Sequence, residues 1–195
     1  MNVVTGYLEV FGGGYGASAH LDGCDAVDSP LSNCSNAPIE ASDMDFDHFR
    51  IVEYSLLGDS CGHGKFRGGL GIVRSYEILK DDVNFAIYAD RFRIAPYGLF
   101  GGSDGSRGSC EVHRNGEIIP VRSKDGLILR KGDVLKIYTS GGAGYGHGYA
   151  ENRVSPQTTL VRGPVQVNQR SVHGLLVKRR VSQESKRRRN TLIDV

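Results

Sequence analysis

Residues 58–71 read GDSCGHGKFRGGLG, and no other run constrains the chain as much. Six glycines surround one carboxylate, Asp59, and two cations, Lys65 and Arg67. In a helix interior each glycine costs about 1 kcal/mol relative to alanine, so this run is not a helix. It carries too few side chains to be a core strand. It is a loop whose backbone approaches something closely, held between the strand-like segments IVEYSLL and IVRSYEIL. Such a loop suits a binding site. It equally suits a long hairpin connection carrying solubilising charges.

The rest of the chain shares this texture. Glycine supplies 27 of 195 residues, about twice its usual share, and there is no Trp. The expected fold is mainly β: a glycine-loop-rich β-sandwich or barrel-like body with irregular segments and few helices. No apolar run approaches the ~18 residues of a membrane helix. The start, MNVVTGYLEVFGGG, lacks the basic and apolar regions of a secretory signal, so a cytoplasmic protein with no membrane partner is expected. Cys24, Cys34, Cys61 and Cys110 form no C-x-x-C pair, which argues against a zinc ribbon and for free thiols. Net charge is +2, yet residues 178–195 hold seven Lys/Arg and two Asp/Glu, which leaves the body mildly acidic. No nucleic-acid partner is expected of such a body.

Along the chain, residues 2–11 are β-prone, and 17–50 are rich in turn signals, with a short strand at 37–41 and a helical turn at 44–49. Residues 50–57 and 71–80 are strands by their Val, Ile, Leu and Tyr content. Residues 83–94 alternate with period two. Residues 109–122 form a hairpin about Asn115-Gly116, the strongest short-range turn signal in the chain. Two more strands follow at 126–130 and 133–139, with a turn at Lys131-Gly132. Glycine clusters recur at 12–16, 95–108 and 141–148. VHGLLV at 172–177 is a terminal strand or docking segment, and the basic tail is expected to be disordered.

The common catalytic motifs are missing. No cluster reads GxxxxGK[ST], and the glycines at 12–16 precede no helical periodicity, against a Rossmann turn. No Gly-x-Ser-x-Gly elbow occurs. His20 with Asp22, and His48 between Asp45 and Asp47, are the nearest approach to metal ligands, and solvated polar loops explain them better. No metal site is expected.

Taken in order, GGGYGA at 12–17, LSNCSNAPIE at 31–40, GDSCGHGKFRGGLG at 58–71, APYGLFGG at 95–102 and KGDVLKIYTSGGAGYG at 131–146 resemble the C-terminal part of B-type subunits of the hydantoinase/oxoprolinase family. That family includes N-methylhydantoinase B, the corresponding half of 5-oxoprolinase, and subunits of acetone and acetophenone carboxylases. The resemblance covers roughly residues 5–177. Cys61 stands where the family usually has a glycine. Ala143 and His147 interrupt a GGGGYGDP-like pattern, in which Gly148 replaces the proline. The final run is His173-Gly174-Leu175-Leu176-Val177.

The resemblance implies one family region at 1–177, with the large N-terminal portion absent, followed by a basic tail at 178–195. It implies ATP-dependent opening of a cyclic amide (a hydantoin or 5-oxoproline) through a phosphorylated intermediate. It assigns ATP to an A-type partner and a divalent metal to the absent N-terminal part, with none bound by this fragment, which would be inactive alone. The alternatives are part of an ATP-dependent ketone carboxylase, or a non-catalytic β module that keeps a partner-binding surface. An anionic intermediate needs backbone N–H donors and cations. The candidates are therefore Asp59, Arg67 and Arg91 for catalysis, and Gly13, Gly14, Asn33, Gly68 and Gly69 for substrate binding. In the bland reading, Asp59 and Arg67 merely pin the loop to itself.

Overall fold

The computed structural model describes residues 6–28 and 36–148. The expectations for Asn33, for 172–177 and for the basic tail lie outside those residues. The described region is mainly β. Its elements are α1 (Ile39–Asp45), β1 (Phe49–Leu56), β2 (Ile72–Ile78), β3 (Val83–Tyr88), β4 (Ser109–Arg114), β5 (Glu117–Val121), β6 (Lys124–Leu129) and β7 (Val134–Tyr138). Five strands form an antiparallel sheet in the order β1-β2-β7-β4-β5, and β3 pairs with β6 as a separate ribbon. The barrel alternative is not realised, because β1 and β5 remain the two edges of an open sheet.

Period-two patterning builds the core. Along β7, Leu135 and Ile137 are buried while their neighbours are half-buried, and along β4 Cys110 and Val112 point the same way. Phe49, Ile51, Tyr76, Ile78 and Val121 complete that face, and the ribbon contributes Ile87 and Leu129. Each fully buried aliphatic such as Val112 or Leu129 stabilises the fold by about 1.5–3 kcal/mol. The β4–β5 hairpin turns at Asn115 and Gly116 with φ of 50° and 84°, the left-handed pair that a two-residue turn requires.

Three expectations need correction. Residues 37–41 are not a strand, because helix α1 runs through Ile39–Asp45. Pro38 precedes it at φ −67°, a backbone already set for helix entry. The helical turn expected at 44–49 therefore lies upstream, and Phe49 already opens β1. The described part of the N-terminal strand, residues 6–11, joins no ladder. It still alternates: Tyr7 and Phe11 pack on the core while Leu8 and Val10 face solvent. Side chains hold this segment instead of backbone pairing. Glu9 pairs with the fully buried Arg74 at 2.8 Å and accepts hydrogen bonds from the Tyr76 hydroxyl at 2.7 Å and from the Tyr7 hydroxyl. Arg74 lies over the Tyr54 ring, 4.7 Å from its centroid.

Strand register explains where the loops go. Leu56 pairs with Ile72, Val73 with Tyr138, and Ser109 with Tyr138. The end of β1, the start of β2, the start of β4 and the end of β7 therefore share one end of the sheet. The glycine runs that leave these strands must meet there.

Candidate functional site

At that end, extended segments pack backbone against backbone. The segment 140–146 is the hub. Its carbonyls accept from Gly14 (to Ser140), Gly62 (to Gly142), Leu99 (to Gly144) and Phe66 (to Tyr145) at 2.8–3.1 Å. Its amides donate to Gly69, Ser103, Phe66 and Leu99. Side chains would block this interleaving. A Cβ on Gly69 would sit 1.8 Å from the Cys24 carbonyl oxygen, and one on Gly142 would sit 1.9 Å from that of Tyr15. Glycine here thus serves close approach of chain to chain.

Short polar side chains tie the remaining ends. Ser60 Oγ donates to the Leu57 carbonyl at 2.7 Å and accepts from Gly71 N at 2.9 Å, closing the neck of the 58–71 loop. Ser103 Oγ accepts from His63 N, and Thr139 Oγ1 from Ile72 N.

An open pocket of about 360 Å³ lies on this bundle. Gly14, Gly16, Ser140 and Gly142 line it, and so do Arg91, Tyr97 and Leu99. Arg91 reaches it because the chain turns sharply after β3. Its φ is +65°, and its carbonyl accepts from Gly108 N at 3.2 Å. The expected strand at 83–94 accordingly ends at Tyr88. Tyr97 is 68% exposed and Leu99 46%, so the pocket has an apolar lip beside a cation.

The structure separates the residues that the sequence nominated. Arg91 lines the pocket, together with Gly14. Arg67 lies in the bundle, where its guanidinium bonds Asp25 at 2.7 and 3.3 Å and the Gly68 carbonyl at 2.8 Å. Burial opposes its charge, and the Asp25 hydrogen bonds and charge outweigh that, leaving the guanidinium above its ordinary pKa. The salt bridge of Arg67 is thus to Asp25 on another segment, and the loop is pinned to its neighbour. Asp59 is exposed at the loop's outer bend with φ 56°. Gly13 forms an isolated bridge with Val27, while Gly68 and Gly69 are buried among the segments. Cys61 is buried, and burial raises its thiol pKa.

Asp25 and Gly16 are the positions that sequence reasoning missed. Asp25 stood in a turn-rich stretch with nothing to mark its partner 42 residues away. Gly16 was visible as the last glycine of a cluster, but its use depends on the pocket. His20 and Asp22 do not form a metal site with a third ligand. Among the described residues no three His, Cys, Asp or Glu side chains converge, and Asp22 instead accepts from Arg67 N at 2.9 Å.

Known proteins share this architecture. Residues 2–148 match the Hydantoinase B/oxoprolinase family. An uncharacterized protein of Methanocaldococcus jannaschii is 42% identical over 153 residues, which are 76% of this chain and 27% of that protein. The 5-oxoprolinase of Dictyostelium discoideum is 33% identical, covering 72% of this chain and 11% of its own length. A Pseudomonas protein named as the B component of a D-/L-hydantoinase is also 33% identical, with coverage of 72% and 24%. Among solved structures, the ATP-dependent caprolactamase from Pseudomonas jessenii superposes with a TM-score of 0.61 at 25% identity. It covers 71% of this chain and 26% of that one. The chain thus spans about a quarter or less of the length of these relatives. Over the region they share, it belongs to the hydantoinase B/oxoprolinase family.

Proposed function

We propose that this chain is a B-type component of an ATP-dependent cyclic-amide hydrolase that opens a hydantoin or 5-oxoproline ring through a phosphorylated intermediate. One observation carries the reading. The same 2–148 region matches a family whose members here include a 5-oxoprolinase and an ATP-dependent caprolactamase, both named for cyclic amides. The chemistry is coherent. Amide hydrolysis is kinetically slow, and phosphorylating the amide oxygen creates a leaving group. The resulting anion needs fixed donors and shelter from water.

The glycine amides at the core of the bundle are spent on one another, and no metal-ligating cluster is present among the described residues. As the family resemblance implies, ATP is handled by an A-type partner, whether a separate chain or a domain. The same resemblance puts a divalent metal in the N-terminal part of the family polypeptide. No step is routed through either group here. Cys24, Cys61 and Cys110 are free thiols, which suits a reducing, cytoplasmic setting. No helix among the described residues is long and apolar enough to cross a membrane.

Reconstitution tests the reading. The chain combined with its A-type partner and the remaining B-type portion should hydrolyse ATP in response to 5-oxoproline or a hydantoin, with no dependence on bicarbonate. The chain alone should be inactive. ATP turnover that requires both a ketone and bicarbonate would establish the carboxylase instead. Complex formation without any turnover would leave a binding module.

A further inference from the structure

We propose that the pocket between Gly16 and Arg91 is a binding site for the oxyanion of a small organic molecule, a carboxylate or a phosphoryl group carried on an apolar body. Linking that anion to ring opening rests on the function proposed above; the binding itself does not.

Three independent features of the pocket converge on this. The first is Gly16. Its fellow lining glycines have an internal reason to lack a side chain: a Cβ on Gly14 would sit 2.0 Å from the Gly69 carbonyl oxygen, and one on Gly142 would sit 1.9 Å from that of Tyr15. A Cβ on Gly16 would meet no atom within 4 Å, and its backbone is outside the left-handed region. Neither packing nor conformation requires glycine there. What glycine provides at Gly16 is bare backbone facing the pocket, where a ligand can approach closely.

The second feature is Arg91. A long side chain in a left-handed conformation is uncommon, and strain of this kind gathers at functional positions. Arg91 is exposed, and it forms no ion pair among the described residues. Arg93 on the same turn and Arg107, next to the Gly108 that hydrogen-bonds Arg91, are exposed as well, as are Asp90 and Asp104 on the same two segments. Arg91 is the one cation among the residues that line the pocket, and an exposed, unpaired guanidinium draws anions toward it. A guanidinium also matches the two oxygens of a carboxylate or a phosphoryl group.

The third feature is the apolar lip. Tyr97 and Leu99 expose large hydrophobic surfaces beside the cation. Apolar walls with a few placed polar groups are the usual makeup of small-molecule sites. An inorganic ion would use the arginine alone. An organic anion uses the arginine and the apolar lip together.

The test is an amide NMR titration of the full 195-residue chain. Three probes separate the sources: inorganic phosphate, 5-oxoproline (a cyclic amide with a carboxylate) and caprolactam (a neutral cyclic amide). The expected result is that 5-oxoproline shifts the Gly14, Gly16 and Gly142 amides, and that caprolactam binds at least about tenfold more weakly. Shifts with phosphate as well would admit phosphoryl groups; shifts with 5-oxoproline alone would restrict the site to carboxylates. Arg91→Gln should weaken anion binding about tenfold or more. Gly16→Ala should do the same while leaving the melting temperature unchanged, because nothing in the fold meets its methyl group. Gly58→Ala, equally open but outside the pocket, should change neither binding nor melting.

The inference is overturned if neither anion shifts these amides at millimolar concentrations. It is also overturned if Arg91→Gln and Gly16→Ala bind as the parent does. Turnover in the reconstituted enzyme separates this outcome from the functional reading. Turnover without anion binding to the pocket removes this inference alone. Anion binding without cyclic-amide turnover keeps the pocket and removes the hydrolase.

Discussion

Asp25 and Arg67 stand 42 residues apart and meet in a two-pronged ion pair, with Nη1–Oδ1 at 2.7 Å and Nη2–Oδ2 at 3.3 Å. Asp25 Oδ1 also accepts from the Leu70 amide at 2.8 Å. One carboxylate thus holds the 67–70 backbone against the 22–27 segment. Both side chains are mostly buried, Arg67 at 13% and Asp25 at 17% exposed. Asp25→Ala would take the two-pronged carboxylate from the buried Arg67 guanidinium and the acceptor from the Leu70 amide, and should destabilise the fold by about 2–4 kcal/mol. Urea unfolding of the variant checks this. A midpoint equal to the parent's would show that the clamp contributes nothing.

The glycine bundle predicts a sharp contrast between sites of the same residue type. Gly69→Ala puts a methyl 1.8 Å from the Cys24 carbonyl oxygen, which backbone alone must relieve. A loss above about 4 kcal/mol, or failure to fold, is expected. Gly58→Ala, with nothing within 4 Å, should stay within about 0.5 kcal/mol. Thermal melts of the two proteins should differ visibly, and equal melts would contradict the packing.

This contrast marks a limit of sequence reading. The sequence marked 58–71 as a loop whose backbone comes close to something, with further glycine clusters at 95–108 and 141–148. Register alone decided that the partner was other backbone, because the strand ends that carry these loops share one end of the sheet.

Acid should unfold the protein partly through Asp133. Hydrogen bonds from Arg114 hold its carboxyl below the usual range, and the Arg130 amide adds to this. Glu111 is lowered in the same way by His113 and Tyr138. A depressed folded-state pKa means that the unfolded chain binds the proton first. The stabilisation is therefore complete above the unfolded values of about 4 and is lost as pH falls through the lower folded values. Asp133→Asn should flatten the pH dependence of stability in that window while lowering stability at neutral pH. Urea midpoints recorded from neutral to strongly acidic pH give the slopes to compare.

The three described cysteines should differ in reactivity. Burial pushes the Cys110 thiol up to about 12, and the Glu111 carboxylate adds to the rise. Cys61 is buried and raised too, whereas Cys24 is exposed. Iodoacetamide at mildly alkaline pH should label Cys24 in the native protein, and Cys61 and Cys110 only after unfolding. Peptide mapping by mass spectrometry reads this directly. Native labelling of Cys110 would mean that the sheet face it occupies opens readily.

Removing Glu9 should loosen the N-terminal segment. Its carboxylate is the ion-pair partner of Arg74, whose Nε and Nη2 already lack hydrogen-bond partners. Glu9→Ala would leave that fully buried cation uncompensated, at a cost of about 3–5 kcal/mol. Chemical denaturation measures the loss, and faster amide exchange at residues 7–11 would place it on this segment.

By itself the sequence determined the strands and their turns. β-branched and aromatic runs gave β1, β2 and the β4–β5 hairpin, and Asn115-Gly116 dictated a left-handed turn that few other pairs adopt without strain. These are local properties, readable within a dozen residues. The ordered glycine motifs also carried the family. The helix at 39–45 escaped, because seven residues with no side-chain cap have little helical signal of their own and owe their form to packing on β1. Tertiary structure alone decided what the glycine loops are for. It spent Gly68 and Gly69 on contact between chain segments and tied Arg67 to Asp25. It left Gly16 bare in a pocket that Arg91 also lines, because a residue's freedom to meet a ligand depends on which backbone the fold has already brought against it.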